Sequence, residues 1–84
     1  MKLLKFSAQW CNPCKQQDEE FAKHPIKVPV ESIDIDEDKD NLTSAYMVGS
    51  IPKMILIDGA VVINDWTGFT LSKDINDFID GLKT

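Results

Sequence analysis

Leu3-Leu4-Lys5-Phe6-Ser7, followed shortly by Trp10-Cys11-Asn12-Pro13-Cys14, is the stretch on which the fold turns. The first five residues are short, mostly apolar and free of breakers, which reads as a buried strand. From about Cys11 to Lys23 the chain holds good helix formers, and His24-Pro25 stops them. This predicted helix has a thin apolar face, with Cys14, Phe21 and Ala22 as its main members. Two cysteines three apart on a first helical turn close a small disulfide with little backbone movement. The helix dipole and free N–H groups meanwhile stabilise a thiolate on the first sulfur. That order makes Cys11, at the exposed edge, the attacking nucleophile, and Cys14, one turn further in, the resolving thiol.

Outward from this unit, Val28 to Ile35 alternates imperfectly and reads as a second strand. Asp36 to Asp40 is expected to cap and begin a short helix, because acidic groups favour helix N-termini. Leu42, Ala45 and Tyr46 then share a face, and Gly49 suits the position past its end. Two apolar runs, Met54 to Ile57 and Ala60 to Ile63, are joined by Asp58-Gly59, a strong hairpin signal. Trp66, at the end of the second hairpin strand, reads as a packing residue. Ile75, Phe78, Ile79 and Leu82 recur at helical spacing, with Ser72 available as a cap. The order is βαβαββα, a mixed α/β layer in a single domain over residues 1–84.

Composition narrows the function classes. A chain of 84 residues is near the lower limit for folding without staples, burying about 60–65% of its unfolded surface. The net charge is −5, and all nine basic residues are lysines, which argues against nucleic acid and against an anionic membrane surface. The longest purely apolar runs span four residues, too few to cross a bilayer. Lys5 breaks the N-terminal apolar stretch too early for a signal peptide, so a cytoplasmic protein is expected. In a reducing compartment a lone Cys-x-x-Cys pair is catalytic or metal-binding more often than structural. A zinc site needs about four ligands, and beyond the cysteines the chain offers a single histidine, His24, read as a helix-end residue. A structural disulfide closing so small a loop restrains little chain entropy. The acidic run Asp34, Asp36, Asp38, Asp40 lacks the Gly and Glu of a calcium loop, with Lys39 and Ala45 at those places. No metal is therefore expected, and a redox-active dithiol is the favoured reading.

The chain resembles the thioredoxin family. Trp10-Cys11-Asn12-Pro13-Cys14 matches the family's Trp-Cys-Gly-Pro-Cys pattern with Asn12 in place of Gly. Tyr46-Met47-Val48-Gly49-Ser50-Ile51-Pro52 resembles the segment ending in the family's cis-proline loop, Asp58-Gly59 its hairpin, and Gly68 with Leu71-Ser72-Lys73 the approach to its last helix. The match covers essentially the whole chain, without the extra N-terminal strand and helix of full-length members. The resemblance implies a thioredoxin-like fold, with a four-stranded mixed central sheet flanked by three helices. It implies that Cys11 and Cys14 are the catalytic dithiol, that Pro13 shapes the active-site turn, and that Trp10 shields the site and forms contact surface. Pro52 would be the cis-proline facing the dithiol, Ile51 would pair its backbone with an extended substrate segment, and Gly68 would border the same surface. It also implies a monomer with no bound cofactor, reset by a thioredoxin reductase or a similar donor. Clients would be disulfide-containing proteins such as ribonucleotide reductase.

The main departure is Lys5, which stands where thioredoxins usually carry a buried acid. The family's partner lysine on the next strand falls near Ser32, beside Glu31. Lys5 is expected to lie partly buried near the dithiol, paired with Glu31 or Asp34 and biasing a thiol toward thiolate; otherwise it snorkels to solvent at a sheet edge. A glutaredoxin-like, glutathione-dependent activity is the runner-up. Its usual Cys-Pro-Tyr-Cys is absent, and only Lys15 and Lys53 offer cations for the tripeptide's carboxylates. A non-catalytic docking module using the surface around Trp10, Pro52 and Gly68 is the third reading.

Overall fold

In the computed structural model, which describes residues 1–82, four strands form one sheet in the order β2-β1-β3-β4. The elements run β1 (Lys2–Ser7), α1 (Asn12–Lys23), β2 (Val30–Asp34), α2 (Leu42–Ala45), β3 (Lys53–Asp58), β4 (Val61–Thr67) and α3 (Ser72–Gly81). β1 pairs parallel with β2 and antiparallel with β3, and β3 pairs antiparallel with β4. The mixed four-stranded sheet with three helices matches the expected order.

The two central strands read as apolar runs because both their faces are covered. On one face Leu3, Met54 and Leu56 pack with Ile75 and Ile79 of α3, joined by Phe21 of α1 and by Val28. On the other, Leu4, Phe6, Ile33, Ile55 and Ile57 pack under Leu42, Tyr46 and Val48, around α2. Trp66 packs edge-on against Phe78 at 5.7 Å between ring centroids, the packing role expected of it. Leu82, expected on the buried face of the last helix, is exposed at its C-cap.

Several local expectations are corrected. The second strand is shorter than Val28 to Ile35. Pro29 has no N–H and so only accepts, from Leu3 N at 2.9 Å, while Ile35 enters a 3₁₀ turn over Ile35–Glu37. Asp36 to Asp40 does not itself run into an α-helix: Asp36 and Glu37 lie in the 3₁₀ turn, and α2 starts only at Leu42. The Asp34 carboxylate accepts the Asp36 N–H at 2.9 Å and caps the 3₁₀ turn, while the Asp38 carboxylate accepts the Thr43 N–H in the first turn of α2, so the expected capping by this acidic stretch comes from Asp38. The left-handed residue after α2 is Met47 (φ 54°), not Gly49, and Val48 N–H reaches back to the Thr43 carbonyl at 2.9 Å. The hairpin loop falls one residue later than Asp58-Gly59: Asp58 faces Val61, so Gly59 (φ 62°) and Ala60 make the turn. The β3–β4 register shifts between Leu56 and Ile57, leaving Ile63 as an extra residue on β4. Ser72 is not the cap of α3. It is the first helical residue, fully buried with its hydroxyl unpartnered, and its N–H is taken by the Glu20 carboxylate at 2.8 Å.

Candidate active site

The dithiol lies where β1 gives way to α1, on a helix start built by the cysteines themselves. Cys11 is the N-cap, with extended backbone, and its Sγ accepts the Cys14 N–H at 3.2 Å. Asn12 and Pro13 follow as the exposed first two helical residues. Proline fits there because its ring fixes a helical φ and its missing N–H is needed by no earlier carbonyl. Cys11 and Cys14 are joined by a disulfide with Cα atoms 5.2 Å apart. Cys11 is 6% exposed and Cys14 1%, so the first cysteine is the less deeply buried of the two. The helix start presents positive partial charge to Cys11 Sγ, which favours a thiolate there once the bond is reduced.

A second loop closes on this unit. Ile51 and Ile35 pack against the small cluster of Ala8, Cys11 and Cys14. The Ile51–Pro52 peptide bond is cis, and Pro52 is buried. The Pro52 carbonyl accepts the Gly68 N–H at 2.8 Å, which joins the loop after β4 to the proline loop. Gly68 has φ 83°, a conformation that side chains disfavour. Trp10 is 67% exposed, and its indole N–H donates to the Asp36 carboxylate at 2.9 Å, so the exposed ring is held by a hydrogen bond at its edge. A groove of about 350 Å³ runs between Trp10, Ile35, Thr43, Val48, Ser50 and Ile51. Trp10 also borders a second recess, lined by Gln9 and the acidic Asp34, Asp36 and Glu37.

Lys5 departs from its expected partners. It is buried, 5% exposed, in β1, and its ammonium pairs with Asp18 of α1; Glu31 pairs with Lys2 instead, at 2.6 Å. The pairing follows from the pleat: Leu3 and Lys5 point to the same face of β1, and Leu3 packs on the α1–α3 side. Burial strips water from the ammonium and holds its pKa below the ordinary lysine value.

Three further residues shape the site in roles that the sequence does not announce. Asp36 holds Trp10. Gln17 is fully buried, and its amide pairs with both backbone groups of Thr70. Glu20 holds the start of α3. The spacing Cys14, Gln17, Phe21 is the signal for Gln17, since it traces the inward stripe of α1; Ala22, expected on that stripe, is exposed.

The comparisons with known proteins converge on one family. The thioredoxin family model matches residues 1–81. A thioredoxin of Buchnera aphidicola (from Acyrthosiphon pisum) is 34% identical over 82 residues, covering 93% of this chain and 75% of its own length. A thioredoxin of Alicyclobacillus acidocaldarius is 37% identical over 71 residues, covering 80% of this chain and 67% of its own. Against mitochondrial thioredoxin of Mus musculus the identity is 30% over 95% of this chain, which spans 50% of that relative. Among solved structures, a mutant thioredoxin from Halobacterium salinarum superimposes with a TM-score of 0.82 at 27% identity, over 95% of this chain and 72% of its own.

Proposed function

The chain belongs to the thioredoxin family and is a thiol–disulfide oxidoreductase of the protein-disulfide reductase type; from that premise we propose that Cys11 is its nucleophile and Cys14 its resolving thiol. The observation that carries this assignment is the position of Cys11 Sγ at the N-cap of α1, accepting the Cys14 N–H. Cys11 is the less buried of the two cysteines, and its sulfur is the one the helix start stabilises as an anion.

In the proposed cycle the Cys11 thiolate attacks one sulfur of a client disulfide. A Cys11–client disulfide forms and the client's other sulfur leaves as a thiolate. The Cys14 thiolate then attacks Cys11 Sγ, forming the intramolecular disulfide and releasing the second client thiolate. Two electrons pass to the client, and an external dithiol returns them by the reverse exchange. The dithiol carries the electrons itself, so no bound cofactor or metal is required. A thioredoxin reductase is the electron donor in this reading, with disulfide-containing proteins such as ribonucleotide reductase as acceptors. Ile51, beside the dithiol, offers backbone groups to an extended client segment; Trp10 and Gly68 border it, and Pro13 shapes the turn. The protein acts as a monomer in the cytoplasm. Among the described residues no helix is long and apolar enough to cross a membrane.

The test is reduction of a protein disulfide with dithiothreitol as donor. Wild type should turn over, Cys11→Ser should not, and Cys14→Ser, first reduced and then freed of dithiothreitol, should accumulate a mixed disulfide with the client. A Cys11→Ser variant as active as wild type would overturn the assignment.

A further inference from the structure

Gln17 is a polar side chain with no exposure at all, on the inner face of α1 one turn beyond Cys14. Its Nε2 donates to the Thr70 carbonyl at 2.8 Å, and its Oε1 accepts the Thr70 N–H at 2.8 Å. A side-chain amide thus pairs with one residue's two main-chain groups, much as a neighbouring strand would. Thr70 lies in the segment between β4 and α3, where no strand or helix partner satisfies those groups. On either side the segment is held as well: Gly68 N–H donates to the Pro52 carbonyl, and Ser72 N–H to Glu20 of α1. The Thr70 hydroxyl donates to the Gly68 carbonyl at 3.0 Å. Between these anchors the side chains of Phe69 and Leu71 stand 45% and 49% exposed.

We propose that Gln17 is a positioning residue for client docking, fixing the Gly68–Leu71 segment against the Pro52 loop from the helix that carries the dithiol. The proposal rests on the oxidoreductase reading and adds to it a residue that touches neither thiol nor client. Because α1 holds both Cys14 and Gln17, the reactive sulfurs and the rim that receives a protein client keep a fixed separation. An apolar residue at this position would fill the space and leave two main-chain groups of Thr70 unpaired. The rim would then sample other positions while the dithiol stays in place.

The experiment compares wild type with Gln17→Met, a near-isosteric change, on two substrates: the disulfides of insulin, which need a docking surface, and hydroxyethyl disulfide, which is too small to use one. The expected result is a KM for insulin raised about tenfold, the loss of roughly two net hydrogen bonds. The kcat should stay within about twofold, and the rate on hydroxyethyl disulfide should not change. Amide exchange of Thr70 should accelerate by about tenfold or more while the amides of β3 keep their protection. Gln17→Glu, which keeps the acceptor for Thr70 N–H and loses the donor, serves the same comparison if the methionine variant folds poorly. An unchanged KM for insulin in a folded variant would overturn the proposal. So would an equal fall on both substrates, which would place Gln17 in support of the dithiol. A wild type inert toward both disulfides would instead overturn the oxidoreductase reading, and this proposal with it.

Discussion

The sulfur of Cys11 accepts the backbone N–H of Cys14 at 3.2 Å, so the residue proposed to attack the client is also the N-cap of its own helix. Capping and reactivity are separable. In the reduced protein Cys11→Ser supplies a good cap oxygen, whereas Cys11→Ala supplies none. Both variants should be inactive, but the alanine protein should be less stable than the serine protein by about 1 kcal/mol. Urea unfolding of the two variants under reducing conditions measures the difference, and equal stabilities would remove the sulfur's capping role.

Lys5 is charged, buried and paired with an exposed acid, an arrangement that costs more solvation than the pair returns. Lys5→Met should therefore stabilise the protein at pH 7, by about 1 kcal/mol. The pH dependence has a definite sign. The folded pKa lies below the ordinary lysine value, so between the two values the unfolded chain binds more protons. Stability should rise with pH through that window, and in Lys5→Met this rise should vanish. Denaturant titrations at stepped alkaline pH decide it. A slope equal in the two proteins would show that Lys5 titrates normally.

Asp38 titrates at the other end of the scale. Hydrogen bonding from Thr43, whose backbone N–H donates to the carboxylate, holds the Asp38 pKa below the ordinary carboxylate value. The stability it contributes is present above that ordinary value and is lost as pH falls through the depressed one. Protection of the Thr43 amide should fall over the same range, and Asp38→Ala should remove that protection at neutral pH.

Trp10 is fastened to Asp36 by its indole N–H alone. Trp10→Phe keeps an aromatic face but loses this bond, so the ring should become mobile. With the side chain already exposed, stability should change by less than about 0.5 kcal/mol. The KM for a protein disulfide should rise about threefold or more if the fixed ring forms contact surface. Asp36→Asn offers an amide oxygen to the same N–H and should keep the KM near that of wild type; a rise matching that of Trp10→Phe would mean that the carboxylate's charge matters more than the hydrogen bond.

What could be read from the sequence tracks which physical forces are local. β1 and β3 declare themselves because strands covered on both faces read as largely apolar runs, with Lys5 the exception in β1. The dithiol unit declares itself because its chemistry needs particular residues at one spacing. The segment from Asp36 to Met47 does not. An acid in this region can cap a 3₁₀ turn, as Asp34 does, or reach the first turn of α2, as Asp38 does, and Asn41 and Met47 adopt left-handed backbone that neither residue announces. Gln17 and Ser72 hide for a related reason. A glutamine in a polar helix looks solvated, and a serine before a helix looks like a cap, until the partner 53 or 52 residues away in sequence is known. Lys5 lies between these cases: its alternation with Leu3 places it on the α1 face, but nothing in β1 points to Asp18.

The extra residue at Ile63 has a bearing on how this small protein survives at high concentration. β4 is the outer strand on one side of the sheet, and an outer strand with regular pairing groups invites a second chain to join it. The displaced register at Ile63 interrupts that row of groups, and Asn64 and Asp65 follow with polar side chains. At the opposite margin β2 carries Glu31 and Ser32, both exposed. Backbone pairing with another chain is thus discouraged along both margins.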